Sequence, residues 1–410
     1  MSSVGMTGSE NMKPDVAIVH RYFWPQNYPY AIMLKSIAEG MSEAGMNVLV
    51  CSCHEKQTDQ LRQRKVWASE RGVACKSLAM PSERTFSIPM KIFSALYYAL
   101  WVFSIALFSG AKVIWVGSTP PVIMPLLLRF ARCFRRFKIV YHCQDIHPES
   151  MSINGNLKRQ WVYNSLRKID EANVVKSDLV VTLSDDMKDT IASRPCEVDN
   201  VKVINNFILD DIPVLREPVK RADGAPYKLL FAGGLGRFQN LEVLTQLAIE
   251  LVKKNLAVVT FMGDGPVRPL MERMVKDSGF QDKIKFPGHR PLSDAIKAMQ
   301  AADFGLVSLT PGVDKVAYPS KTIMYLAAGL PCLAFVSPSS SLGRMLEEND
   351  LGAAFDLTDA ESVFSQVEEF LFSCANGVKD RDAIMRFAKD NFSEKSVVSR
   401  LVVEVKELVF

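Results

Sequence analysis

Between Arg84 and Gln144 the chain has no aspartate and no glutamate, yet eight basic residues fall there: Arg84, Lys91, Lys112, Arg129, Arg132, Arg135, Arg136 and Lys138. Such a stretch has either an unusual neighbour or an unusual surface. The net charge of the 410 residues is only +4, too small to imply nucleic acid, and no base-reading motif accompanies the basic run. The eight cysteines form no CxxC pair, and several lie in apolar strand-like runs, the usage of a reduced, cytosolic protein. Cys51, Cys53 and His54 lack a fourth ligand nearby, so a zinc site is not read there. The opening MSSVGMTGSENMKP has no basic region followed by an apolar stretch, and residues 1–14 are expected to be a loose tail rather than a secretory leader. No internal repeat or low-complexity tract occurs.

What the chain does have is a steady alternation of short apolar runs and helical patterns, the signature of parallel α/β sheets. Seven strand candidates occupy the first half: 16–20, 47–53, 73–80, 112–118, 138–143, 179–184 and 201–206. A polar, proline-bearing stretch over 209–226 reads as a linker. Six further candidates follow at 229–234, 257–265, 284–286, 304–309, 331–336 and 352–357. The expected architecture is α/β, with two Rossmann-like doubly wound domains, 15–208 and 227–390, facing a cleft where ligands meet the carboxyl ends of the strands. Residues 391–410 read as one amphipathic C-terminal helix capped by Ser393.

After the strand LLFAGG comes GLGRFQN, then a helix. Gly233, Gly234 and Gly236 let a ligand approach the backbone, and Arg237 sits where a helix start gathers N–H donors, so a phosphate is the natural guest. A plain glycine-rich turn with a solvated arginine is the competing reading. A dinucleotide fingerprint starts at Gly234-x-Gly236 with Asp264 after the next strand, but Gln239 stands at its third glycine. In YPSKTIMYLAAGLPCLAF, Lys321 follows Ser320 in the first turn of a helix, where the macrodipole opposes a cation by about 0.3 to 1 kcal/mol. A bound anion reverses that sign. Lys321 and Arg237 lie at the same edge of one sheet and are expected to hold a diphosphate from two sides.

At this point the chain resembles a known family. AGGLGRFQNLEVL, GDGPVRPLMERM, the PGHRP turn, AADFGLVSL and the Lys321 segment are similar, in order, to the C-terminal half of family 4 retaining GT-B glycosyltransferases. KIVYHCQDIHPES resembles the DLWPES motif of the branch that builds O-antigen and exopolysaccharide, and VGSTPP its SPP loop. The resemblance implies the GT-B fold with a C-terminal crossover helix. It also implies transfer of a sugar, of the N-acetylated hexosamine type, from a UDP-linked donor to a polyprenyl-linked saccharide in surface polysaccharide synthesis. No cofactor beyond that donor is implied. The family signature, a glutamate and a second glutamate with seven residues between them, falls on Val316 and Met324. Both carboxylates are missing, so a catalytically degenerate partner protein stays open as an alternative, as does a dinucleotide-dependent oxidoreductase.

The resemblance assigns Arg237, Lys321 and Asp145 to catalysis, and Gly234, Gly236, Gly263, Asp264, Gly265, Ser320 and Met324 to the donor. It gives His20, Asn27, Thr119, His147 and Glu149 to the acceptor. Asp380-x-Asp382 is the one DxD, in a charged helical stretch with no strand before it, and reads as a solvated face. His142, Asp145, His147 and Glu149 fit no zinc spacing, and no metal is expected.

Ile92 to Ala111 is a twenty-residue run without charge. It cannot span a bilayer singly, because the strands on either side of it must share one sheet. It is a buried helix or lies in a membrane interface. MPLLLRFARCFRRFK, with Leu126, Leu127, Phe130, Phe134 and Phe137 interleaved with arginines, favours the interface. Segment 86–138 is therefore expected to hold the protein on the anionic inner face of the plasma membrane, from the cytoplasmic side.

Overall fold

The structure, a computed structural model, describes residues 13–26, 28–55, 59–80, 87–153, 155, 157–209, 224–358, 360–374 and 379–410. Residues 1–12 of the expected tail, the loop residue Asn27, Arg84 and 210–223 of the linker lie outside the described residues. Chain contacts divide the molecule into two units. One holds the chain up to Leu183, Lys188–Leu209 and Glu394–Phe410, and the other holds the rest.

In the first unit the elements run β1 (Val16–Val19), α1 (Pro29–Glu43), β2 (Val48–His54), α2 (Gln60–Arg71), β3 (Ala74–Ala79), α3 (Ile88–Phe108), β4 (Val113–Gly117), α4 (Ile123–Ala131), β5 (Lys138–His142), α5 (Glu149–Ile153), α6 (Gln160–Lys176), β6 (Leu179–Thr182), α7 (Asp185–Ala192) and β7 (Val201–Val203). The second continues with β8 (Tyr227–Ala232), α8 (Leu241–Lys253), β9 (Ala257–Met262), α9 (Arg268–Ser278), β10 (Ile284–Lys285), α10 (Leu292–Ala301), β11 (Phe304–Ser308), α11 (Lys321–Ala327), β12 (Cys332–Phe335), α12 (Ser341–Glu348), β13 (Gly352–Ala354), α13 (Ala360–Ser373) and α14 (Arg381–Phe392). The last helix, α15 (Glu394–Val409), returns to the first unit.

All thirteen apolar runs become strands, most of them trimmed at their ends, with β2 running one residue further than expected and β8 starting two earlier. Central strands such as VAIV, VIWVG and FGLVS are buried at every position, because helices cover both faces of a parallel sheet. The first sheet has the order β3-β2-β1-β4-β5-β6-β7 and the second β10-β9-β8-β11-β12-β13, with every pairing parallel. Right-handed crossovers put α1 and α2 on one face of the first sheet and α3, α4 and α6 on the other. The contacts agree: α4 touches both α3 and α6, and α15 packs on α1. Val397, Val398, Leu401, Val405 and Val409 of α15 join the core beneath α1, where a Cβ on Gly40 would stand 2.3 Å from Val398 Cγ1. The C-terminal helix expected with Ser393 at its cap is α15; residues 391 and 392 belong instead to α14, which the extended Ser393 stops.

Local chemistry sets several boundaries. Pro29 opens α1, where its missing N–H is not needed, and Gly72 ends α2 in the left-handed region. Asp380 caps α14 by accepting from the N–H groups of Asp382 and Ala383. Both aspartates of the DxD are exposed, as expected of a solvated face, and Asp380 serves in addition as a helix cap.

Candidate functional site

In the second sheet, chain order runs outward from β8 in one direction and from β11 in the other, so the switch point lies between these neighbours. Ligands of open α/β sheets bind at that point, at the carboxyl ends. Two loops stand there, one after β8 and one after β11. Thr310 joins them: its N–H donates to the Phe238 carbonyl (2.7 Å) and its hydroxyl to that of Arg237 (3.2 Å).

On its other side the glycine-rich loop is tied to the loop after β9. Gly233 N donates to Met262 O, Leu235 N to Asp264 O, and Val267 N to Leu235 O. This close approach explains two of the glycines expected to meet a ligand. A Cβ on Gly263 would stand 1.9 Å from the Gly233 carbonyl oxygen, and one on Gly265 2.3 Å from that of Leu235. They serve loop-to-loop packing. Gly234 and Gly236 are different, since a Cβ at either would meet open space. Nothing inside the protein demands glycine there, and their backbone is open to a guest. Asp264, expected at the donor, is exposed and accepts from the N–H of Gly265 (2.8 Å), holding its own turn.

Lys321 begins α11, and its side chain turns back against the glycine-rich loop. The ammonium stands 3.4 Å from the ring centroid of Phe231 and 3.3 Å from Gln239 Oε1, and a Cβ on Gly233 would lie 3.3 Å from it. Gln239, which breaks the dinucleotide fingerprint, is thus the contact that holds the lysine. Among the described residues no carboxylate pairs with Lys321, and burial pushes its pKa down to about 7. The helix is fixed by Tyr325, whose hydroxyl accepts from Ala232 N (2.6 Å) and whose ring would lie 2.5 Å from a Cβ on Gly305. Arg237 lies in a 3-10 turn of the same loop, exposed, and among the described residues its guanidinium has no protein partner. Ser320 is exposed and its hydroxyl does not cap α11.

Val316, where the family motif carries its first glutamate, is only 2% exposed, so an apolar contact replaces the carboxylate. Met324 is half-buried on α11.

In the first sheet the switch point lies between β1 and β4. His20 follows β1, and its Nδ1 lies 2.7 Å from the Tyr22 carbonyl oxygen. Its ring meets Tyr30 edge-on at 4.9 Å, and the Tyr30 hydroxyl lies 3.0 Å from His142 Nδ1. The other nitrogen of His142 is 2.8 Å from Gln144 Nε2, and the Gln144 and Asn206 amides bond each other. Burial lowers the pKa of His20 to about 4 and that of His142 to about 3, so both rings are neutral. Asp145 follows in the same loop, and burial raises its pKa to about 6. Thr119, after β4, is exposed.

The remaining acceptor candidates are engaged by the protein itself. Both oxygens of Glu149 accept from Arg194 (3.2 and 2.9 Å), which also bonds Asp170 (2.8 Å) and the His147 carbonyl (3.2 Å). His147 Nδ1 meets the Ser150 hydroxyl at 2.8 Å, and burial lowers that imidazole to about 4. Glu149 and His147 therefore shape the loop that carries Asp145. Among the described residues no three His, Cys, Asp or Glu side chains gather to hold a metal ion. Sequence reasoning missed Tyr30, Asn206 and Arg194. Tyr30 sits visibly in RYFWPQNYPYA, whereas nothing local marks Arg194, whose partners are distant in the chain.

No family model matches the sequence. Two relatives align with it: probable glycosyltransferase WbjE of Pseudomonas aeruginosa, 27% identical over 62% of this chain and 66% of its own length, and putative colanic acid biosynthesis glycosyltransferase WcaL of Salmonella typhimurium, 21% identical over 48% of each. The chain thus spans about two thirds of the first relative and half of the second. Solved structures match over nearly the whole chain. Sucrose-phosphate synthase from Thermosynechococcus elongatus superposes with a TM-score of 0.70 at 13% identity, covering 96% of this chain and 98% of that one. Anabaena HepE in complex with UDP gives 0.67 at 14%, covering 96% and 100%. The fold is GT-B.

Two outcomes follow from this geometry. Gly263→Ala, which drives a methyl group into a backbone oxygen, lowers the thermal midpoint by several degrees, while Gly234→Ala leaves it within a degree or two; calorimetry distinguishes them. Asp145 has a folded pKa above its unfolded value, so its ionisation opposes folding increasingly from about pH 4 and fully above about pH 6. Asp145→Asn should stabilise the protein by about 1 to 3 kcal/mol at pH 8 and by nothing at about pH 3, read from urea midpoints.

Proposed function

We propose that the protein is a glycosyltransferase of surface polysaccharide synthesis. It moves a sugar, of the N-acetylated hexosamine type, from a UDP-linked donor to a polyprenyl-linked saccharide, with retention of configuration, on the cytoplasmic face of the plasma membrane. The observation that carries this reading is the Lys321 ammonium, held against a glycine-rich loop with no countercharge among the described residues. The GT-B fold, the glycosyltransferase relatives, one of them named for colanic acid, and a structural neighbour solved with UDP support it.

In this reading the diphosphate lies along the open backbone of Gly234 and Gly236, between Lys321 and Arg237. As the bond from the sugar anomeric carbon to the diphosphate oxygen breaks, the electron pair goes to that oxygen, and the two cations stabilise the charge. No metal ion is needed for that step. The acceptor hydroxyl attacks the anomeric carbon from the face the diphosphate leaves, and its proton passes to the departing phosphate oxygen. Asp145 positions the sugar or acceptor. His20 and Thr119 line the acceptor side. Sugar hydroxyls that the missing glutamates would hold are met by loop backbone, with Met324 and Ser320 at the α11 end.

Arg237→Ala or Lys321→Ala should lower transfer at least about tenfold, equivalent to about 1.4 kcal/mol in the barrier. Radiolabelled sugar transfer to membrane extracts, with a panel of nucleotide sugars, reads this. Wild-type rates in both variants contradict the clamp, and UDP binding without turnover on any donor points to a non-catalytic partner.

A pH dependence follows as well. The free protein loses the Lys321 proton near pH 7, and a bound diphosphate retains it, so binding takes up a proton above that pH. UDP affinity should fall by up to about tenfold per pH unit between pH 7.5 and 9. Arg237→Ala keeps that slope and Lys321→Ala removes it, as titration calorimetry would show.

A further inference from the structure

A helix on the surface of a doubly wound sheet normally turns a polar side to water. The inner side of α3 is ordinary, with Ser94, Tyr98, Val102, Ile105 and Ala106 buried. Its outer side is also apolar. Phe93 is 66% and Leu100 69% exposed, and Leu96 and Tyr97 are open between them. These positions recur at three- and four-residue spacing, so they form one ridge along the helix. The outer side of α4 continues it. Phe130 and Phe134, 57% and 66% exposed, cluster with Phe103 of α3 at ring separations of 5.5 to 6.4 Å. Two helices thus present one uncovered apolar surface.

The helix does not cross a membrane. The strands on either side of it, β3 and β4, belong to one sheet, and among the described residues no helix is long and apolar enough to span. Three of the arginines interleaved with this ridge are engaged within the protein. Arg135 donates to the carbonyls of Ala106 and Ala111, tying down the end of α3. Arg132 bonds the Lys176 carbonyl and pairs with Asp178, and Arg129 bonds Asn173. The apolar ridge is the anchor. Among the described residues, cations with no protein partner lie at its margins, in the exposed Arg136 after α4 and in Lys158 and Arg159 beside the exposed Trp161 of α6, the helix next to α4.

We propose that the outer ridges of α3 and α4 lie in the interface of an anionic bilayer, with Trp161 and the marginal cations at headgroup level. The charge pattern selects this occupant. A second copy docked on the same patch about a two-fold axis would set cation against cation, with no acidic residue from 84 to 144 to offset it, whereas an anionic leaflet attracts it. The ridge also begins beside the candidate acceptor site. Arg21, next to His20, donates from its guanidinium to the Ser94 hydroxyl (2.9 Å), placing the first turns of α3 at the carboxyl end of β1. An acceptor whose lipid stays in the leaflet therefore needs only its headgroup to reach that loop. This deepens the glycosyltransferase reading and rests on it for the identity of the acceptor, though not for the attachment.

The test is co-sedimentation of the full chain with vesicles of phosphatidylcholine containing or lacking 30% phosphatidylglycerol, at about 0.15 M salt. The wild type should pellet with the anionic vesicles and at least about tenfold less with the neutral ones. Phe93→Ser/Leu96→Ser/Leu100→Ser should stay in solution, and so should Phe130→Ser/Phe134→Ser, while both keep the wild-type melting temperature and its rise with UDP. A wild type that ignores both vesicles, or variants that pellet as it does, would overturn the proposal. Vesicle-independent dimers that the substitutions dissociate would overturn it in favour of a second copy. Sugar transfer is assayed separately, so loss of attachment and loss of the catalytic reading give different results.

Discussion

A cation held near apolar surroundings without a countercharge is unfavourable unless something else supplies the negative charge. In the second unit that cation is the Lys321 ammonium, on the face of Phe231 with one neutral amide as its hydrogen-bond partner. Much of the surrounding architecture serves to keep it there. Tyr325 ties α11 to β8, Gly305 makes room for that ring, and Gly263 and Gly265 let the neighbouring loop close on the glycine-rich one. What is left open is the backbone of Gly234 and Gly236, with the exposed guanidinium of Arg237 on the same loop. In the proposed function, these two positive groups and the accessible backbone are the receptor for the donor diphosphate.

The first unit solves a different problem. Its carboxyl edge is lined with neutral, buried polar groups whose hydrogen bonds are met internally, from His20 through Tyr30, His142 and Gln144 to Asn206. Arg194 braces the adjoining loop through Glu149, Asp170 and the His147 carbonyl. Such a network fixes loop shape while adding little net charge, which under the proposed function suits it to position a neutral saccharide hydroxyl. Asp145 is the exception, a carboxylate whose ionisation is opposed by burial, and strain of this kind is retained where function needs it.

The fold was legible because its cause is local. Apolar runs of four to eight residues between helical patterns predict parallel strands, and all thirteen appear in the two sheets. The site was legible in part. Lys321 and Arg237 stood out as cations at the ends of elements, and their placement against one loop follows from the sheet order. Sequence could not tell which glycines are left open and which face another loop, because Gly234 and Gly263 differ only in what the fold brings within 4 Å. The partners of Glu149 and Arg135 were hidden for the same reason: Arg194 and the end of α3 lie far away in the chain. Within the acid-free stretch, sequence could not tell which arginines are spent inside the protein: Arg132 and Arg135 turn to carbonyls, while Phe130 and Phe134 face solvent and Arg136 is exposed.

The claim on which the rest depends is that Lys321 waits for a pyrophosphate. A crystal structure with UDP bound tests it most directly. The account predicts that the ammonium leaves Gln239 Oε1 and comes within about 3 Å of a diphosphate oxygen, with the Arg237 guanidinium on the same group. A diphosphate bound elsewhere, with Lys321 still resting on Phe231 and Gln239, would contradict it.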